Sequence, residues 1–215
     1  MRTVFFAMCS VILLASCTGN GGTKQETLPE EMKSQALDLS GYSKRNIVLI
    51  NQLGRVSIYL PVAMDTFFTY ADFGEYHCGE TKQFRFASKK FNPVGIIDLS
   101  YSDPTDSVYQ GTIIQTYNKD CETNTTIDEQ LLKSLQKDKT HMYTMIDVRG
   151  KKVIVGVMEL SLKETDVAEV TAITSVSGRM IKFLFQCHKK MAGNFTSQIL
   201  TSLKTLEIGE NAVRG

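Results

Sequence analysis

The sequence predicts an α+β domain behind an export leader, and three observations carry that reading. Short apolar or alternating runs separated by turn residues recur from Asn46 to His188, which is strand patterning. Two stretches, near Ile127 and Phe195, repeat apolar residues at helical spacing instead. The run Val153–Leu162 is apolar on both faces, the mark of a central strand covered on both sides.

The elements follow in chain order. Met1–Thr3 carries one charge, Arg2, and Val4–Leu14 is apolar except for Ser10. That run is too short to span a bilayer, and with small residues behind it reads as a secretion leader over 1–16. Leu14-Ala15-Ser16-Cys17 resembles the lipobox of bacterial lipoproteins. The resemblance implies that Cys17 becomes the diacylglyceryl-modified first residue of the mature chain. Thr18–Thr27 contains three glycines and no apolar residue, so 17–27 is expected to be a flexible tether. Lipobox and tether together resemble lipoproteins of the Bacteroides group. The absence of an acidic run after Cys17 points to a periplasm-facing anchor in the outer membrane. Segment 28–45 reads as a weak helix or link, because Leu28, Met32, Leu37 and Leu39 make only a ragged stripe.

A single domain is expected over 46–208. Ile47–Ile50 and Val56–Leu60 are strands, and Pro61 ends the second because it has no N–H for a ladder. Ala63–Glu80 shows neither period and reads as a partly ordered loop. Gln83–Phe86 and Val94–Tyr101 follow as strands, and Val108–Tyr117 as a fifth strand or an ordered loop. Thr126-Ile127-Asp128-Glu129 has capping-box spacing, opening a helix with Ile127, Leu131, Leu132 and Leu135 on one face and an end near Lys139. Tyr143–Val148, Val153–Leu162, Glu169–Val176 and Met180–His188 are strands, with Ser177-Gly178-Arg179 as a hairpin turn. Asn194 is the expected cap of a last helix carrying Phe195, Ile199, Leu203 and Leu206. Residues 209–215 read as a frayed tail.

Gly178–Cys187, then Asn194-Phe195 and Ile199–Leu203, resemble the end of the PsbP-like family, which includes bacterial lipoproteins of the DcrB and LpqN kinds. The likeness covers about the last ninety residues and, more loosely, the strands from Val56. It implies a single antiparallel sheet of about six to eight strands with helices packed on its faces. It transfers no catalytic residue, since the family shares none. The chain departs from the family's Pro-x-Gly-Trp segment: it has Pro61-Val62-Ala63-Met64 and no tryptophan.

Composition bounds the function. Lys and Arg number 24 against 23 Asp and Glu, and the leader removes only Arg2, so the mature chain is near neutral. Without a basic stripe, nucleic acid is excluded as a partner. No nucleophile elbow, P-loop or dinucleotide fingerprint occurs, and His77, His141 and His188 show no metal-ligand spacing. No catalytic residue, metal or cofactor is therefore expected. Asp106-Ser107-Val108 resembles an O-glycosylation site of the Bacteroides group. Past the leader, Cys78, Cys121 and Cys187 accompany Cys17. Cys187 falls on an inner strand face and is expected to be a buried free thiol. Cys78 and Cys121 lie in polar surroundings and are expected to pair. The aromatic cluster Phe67, Phe68, Tyr70, Phe73 and Tyr76 offers a partner surface, or alternatively covers an open sheet face.

The expected function is a non-enzymatic binding or accessory role in the cell envelope, with the membrane held through the lipid and a protein partner in the same layer. The alternatives are a carrier of a small or lipidic ligand in a sheet–helix pocket, and an enzyme whose site is assembled from scattered residues. The anchor is testable directly. Cys17→Ala is expected to abolish lipid labelling and to leave the chain unprocessed or in the soluble periplasmic fraction. A correctly cut mature variant that still fractionates with membranes refutes the anchor.

Overall fold

The structure, a computed structural model, describes residues 37–72, 81–88, 109–116, 125–158 and 167–210. These lie within one compact unit, Ala36–Gly215. Ten strands and two α-helices are assigned: β1 (Tyr42–Val48), β2 (Gly54–Pro61), β3 (Thr66–Asp72), β4 (Thr81–Ala87), β5 (Tyr109–Thr116), α1 (Glu129–Leu135), β6 (His141–Val148), β7 (Lys151–Met158), β8 (Val167–Val176), β9 (Arg179–His188), α2 (Ala192–Lys204) and β10 (Glu207–Glu210). They build a seven-stranded sheet in the order β3-β4-β5-β9-β8-β7-β6 and a three-stranded sheet in the order β1-β2-β10. Every pairing is antiparallel. The α+β class and the size of the main sheet are as the sequence predicts, and the small sheet is an addition to it.

Alternation decides which face of each strand is buried. On β9, Ile181, Phe183, Phe185 and Cys187 are each at most 1% exposed, while Lys182 between them is in solvent. On β8, Val170, Ala172, Thr174 and Val176 point the same way and are buried. Strand β7 is covered twice, as expected. Val153 and Val155 face the main core, and Ile154 faces a second cluster with Ile127, Leu132 and Ile173 under α1.

Helix α2 closes the main core. Phe195, Ile199 and Leu203 recur every four residues and are fully buried. They meet Val56, Ile58 and Leu60 of β2 together with the inner residues of β8 and β9. Each such side chain contributes about 1.5–3 kcal/mol of burial. The end of α2 is tied down by Thr205, whose hydroxyl accepts from the Tyr59 N–H at 2.9 Å and donates to the Ser202 carbonyl at 2.6 Å. The carboxylate of Glu207 then joins Lys44 of β1 at 3.0 Å and Arg149 of the β6–β7 turn. These two hydrogen bonds hold the Glu207 carboxyl below its ordinary range.

Several expectations are corrected. Residues 66–72, read as loop, form β3: the adjacent Phe67 and Phe68 fall on opposite, partly covered faces, so no polar–apolar period shows. Helix α1 is seven residues long and ends at Leu135 rather than near Lys139. Its cap is Asp128, which accepts from the Leu131 N–H at 2.9 Å, and not Thr126. The segment entering α2 coils through a 3-10 turn, Lys189–Met191, so α2 already starts at Ala192 and Asn194 lies inside it. Strand β1 starts within the stretch read as helix or link, and β10 takes in Gly209 and Glu210 of the expected tail. The expected strand at Val94–Tyr101, and Glu159–Leu162 of the seventh, lie outside the described residues.

Two glycines are set by packing. A Cβ on Gly156 would lie 2.5 Å from the Tyr143 ring, and one on Gly111 would lie 2.6 Å from the Phe185 ring. Both rings lie across a strand that only glycine leaves low enough.

Cys187 is free and fully buried, as the alternation predicts. Its thiol donates to the His188 carbonyl at 3.3 Å, and burial pushes its pKa up to about 12. The native state therefore holds it neutral where the unfolded chain ionises it. Its contribution to stability is complete below about pH 9 and is lost as pH rises toward 12. Peptide mapping after native alkylation is expected to find Cys187 unmodified, and Cys187→Ala to flatten the fall of melting temperature above pH 9. Rapid native labelling of Cys187 contradicts this placement.

Candidate partner-binding edge

The sequence-predicted partner surface falls partly within the described residues. Phe67 and Phe68 are placed with their side chains, and Tyr70 is placed on β3 by its backbone. Phe73, Tyr76, Cys78, Cys121 and Cys17 lie outside the described residues, so the aromatic cluster is seen in part.

Strand β3 reads Thr-Phe-Phe-Thr-Tyr-Ala-Asp, a run of β-branched and aromatic residues that suits a pleated surface. It pairs with β4 from Thr66↔Ala87 to Asp72↔Thr81 and stands at the margin of the seven-stranded sheet. Among the described residues nothing pairs with its other side. Phe67 lies opposite Phe86, with ring centroids 5.0 Å apart and planes tilted by 31°. Phe86 is 1% exposed and belongs to the main core, but Phe67 is 47% exposed. The core thus runs out beneath Phe67, which lies across the sheet from β8 and β9, the strands against which α2 packs. Phe68 takes the other face, opposite Arg85, and is half-buried.

The approach to β3 is held firmly. Met64 is fully buried, its N–H donates to the Pro61 carbonyl at 2.9 Å, and its carbonyl accepts from Arg45 of β1 at 3.1 Å. Beside it Val62 is 55% exposed. The β3 edge is therefore presented by a fixed turn, with Val62 and Phe67 exposed along it and Asp65 before its first residue.

A second feature, invisible to sequence spacing, crosses the opposite face of the same sheet. His141 Nε2 lies 3.2 Å from Glu169 Oε1, Gln186 donates to Glu169 Oε2 at 2.8 Å, and Gln110 donates to Gln186. Thr140 Oγ1 lies 2.8 Å from His141 Nδ1 and donates to Asp138 at 2.7 Å. This row spans β6, β8, β9 and β5. The His141 side chain is 6% exposed and that of Glu169 17%, and the row ties four strands together. Nearby, burial and then the Asp138 charge push the Tyr143 phenol up. Among the described residues no three His, Cys, Asp or Glu converge as metal ligands, and no helix is long and apolar enough to cross a membrane.

No protein-family model matches the chain, and no curated protein matches it. Among solved structures, the chain is similar to the solution structure of cyanobacterial PsbP (CyanoP) from Synechocystis sp. PCC 6803. The identity is 11% and the TM-score 0.41, over 77% of this chain and 92% of that one. The strand pairings themselves, rather than this likeness, establish the architecture.

Proposed function

We propose that the mature chain is a lipid-tethered binding or accessory protein of the cell envelope, and that it captures a protein partner by adding a strand to β3. One observation carries the reading. Soluble proteins blunt their sheet edges with lysine, proline, a bulge or a cover, because an open edge templates pairing with other chains. Between Asp65 and Asp72, β3 has no lysine, arginine, proline or glycine, and Phe67 beside it is half in solvent. An edge left in that state suits strand addition, in which backbone hydrogen bonds give affinity and alternate side chains give selectivity.

The tether supports the reading. A domain held by Cys17 and a glycine-rich leash meets partners confined to the same thin layer at raised effective concentration. The carrier alternative loses its natural place, since the space between α2 and the sheet is filled by Phe195, Ile199 and Leu203. The role is non-enzymatic in this account: the largely buried His141–Glu169 row serves to tie strands together.

A photo-crosslinking residue at Thr69, compared with one at Met142 on the far edge strand β6, tests it in cells. Position 69 is expected to give one defined envelope-protein adduct and position 142 none. Thr69→Lys in a chain labelled at Phe67 is expected to reduce that adduct about tenfold, or ~1.4 kcal/mol, with the unfolding midpoint within about 0.5 kcal/mol of the parent. Equal labelling at both edges, or an adduct unaffected by the lysine, refutes strand addition at β3.

A further inference from the structure

The strand registers fix which backbone groups of β3 face outward. In an antiparallel ladder, a residue that bonds to one neighbouring strand is followed by one that faces the other side. The Ser88 N–H donates to the Tyr109 carbonyl at 3.1 Å, so Ser88, just past β4, faces β5. The β4–β5 and β3–β4 registers both run without a bulge. Every second residue of β4 from Ala87 to Thr81 therefore bonds to β3, at Thr66, Phe68, Tyr70 and Asp72. The other three, Phe67, Thr69 and Ala71, turn their N–H and C=O groups to the outer side, where no strand lies among the described residues. The two-residue turn Ser177-Gly178 agrees. It makes Val176↔Arg179 a bonded pair, and the alternation carried from there through β9 and β5 reaches β4 with the same phase.

We infer that a second copy of this chain holds this edge until an outside partner takes it, the two β3 strands pairing antiparallel about a two-fold axis at Thr69. The inference rests on the reading of β3 as a strand-adding edge and names what regulates that edge.

Thr69 is both the midpoint of Thr66–Asp72 and one of the outward-facing residues. A two-fold axis there joins the strands over their full length. Thr69 meets its own copy and Phe67 meets Ala71, so every outward-facing residue exchanges both of its backbone bonds. A register displaced by one residue sets these groups against residues already bonded to β4, and one displaced by two leaves an end of the strand unmatched.

The side chains fit the same register. Phe67, Thr69 and Ala71 share the face of Phe86. Across the axis the large Phe67 would lie against the small Ala71, covering a ring that is 47% exposed. The two Thr69 hydroxyls would meet, a favourable cross-strand pair. On the other face Phe68 comes opposite Tyr70. No residue from Thr66 to Ala71 is charged and Asp72 comes opposite Thr66, so no like charges stand directly opposite. An isologous contact of this kind closes at two copies. Its area is small, but chains tethered in one layer meet at raised effective concentration. A copy that covers the edge also does what lysine or proline does in other sheets. An outside strand then binds by displacing the copy.

The test uses the complete mature chain without its lipid, followed by sedimentation velocity at rising concentration. The parent is expected to form a dimer and no larger species. Thr69→Lys, which brings two ammonium groups together on the axis, is expected to weaken dimerisation at least tenfold with an unchanged melt. Directly opposite residues of a bonded pair have Cα atoms about 5.5 Å apart, within the disulfide range of about 4.4–6.8 Å. On mild oxidation Thr69→Cys is therefore expected to link to itself, and Phe67→Cys to link to Ala71→Cys but not to itself. Met142→Cys, on the far edge strand, is expected to link no more than the parent does. The inference is overturned if the parent stays monomeric, if Thr69→Lys dimerises like the parent, or if Met142→Cys links as readily as Thr69→Cys. A monomeric chain that still gives the defined cellular adduct at position 69 removes the copy and keeps strand addition by another protein. A dimer linked through Thr69, with no cellular adduct to another protein, keeps the copy and removes the outside partner.

Discussion

The seating of α2 is the contact on which the rest of the structure depends. Phe195, Ile199 and Leu203 fill the space between the three-stranded sheet and the middle of the seven-stranded one, and none is exposed. A sheet of this kind must bury one face, and a second layer is the only stable way to do so. Removing the Phe195 ring alone would cost about 3–5 kcal/mol, a large share of the net stability of about 5–15 kcal/mol typical of a folded domain. Thr205 and Glu207 extend the same constraint past the helix end, through a hydrogen bond to β2 and charge pairing to Lys44 and Arg149.

Because the second layer is small, it covers the sheet unevenly. Helix α2 sits over β8 and β9, where inner side chains are almost wholly buried, while Phe67 on β3 is 47% exposed. On the opposite face α1 covers Ile154 and Ile173, with Tyr143, Met145 and Met180 packed beside them, and a polar row from His141 to Gln110 ties the strands beyond it. The interior is thus committed to packing, and the places left for recognition are peripheral. One of them is the strand at the β3 side of the sheet.

Much of the core was legible because one face of each central strand is apolar and its period is two. Ile181, Phe183, Phe185 and Cys187 lie inward as the alternation requires, and the Phe195–Leu203 stripe forms the closing helix. The small sheet was not legible: β10 is four residues long, and its pairing with Gly54–Ser57 joins positions far apart in the chain. Strand β3 was missed for a related reason. At a sheet margin neither face is fully covered, so Phe67 and Phe68 can be neighbours on opposite faces and the polar alternation vanishes. The capping box at Thr126 misled because Asp128, two residues later, offers a carboxylate to the same turn. The His141–Glu169 row is assembled across strands, so local spacing carries no trace of it. Of the aromatic cluster, the sequence left open a partner surface or a cover for an open sheet face; the exposure of Phe67 and its place on a margin strand come from strand pairing, which local spacing does not carry.

With the core closed by α2, β3 stands at the margin of the sheet with no strand on its other side among the described residues. Hydrogen exchange on the monomeric mature chain measures this most directly, since opening free energies rank strands by how much packing holds them. The account predicts slowest exchange in β8 and β9 and fastest strand exchange in Phe67–Ala71. Protection of Phe67–Ala71 equal to that of Phe183–Cys187 would contradict it.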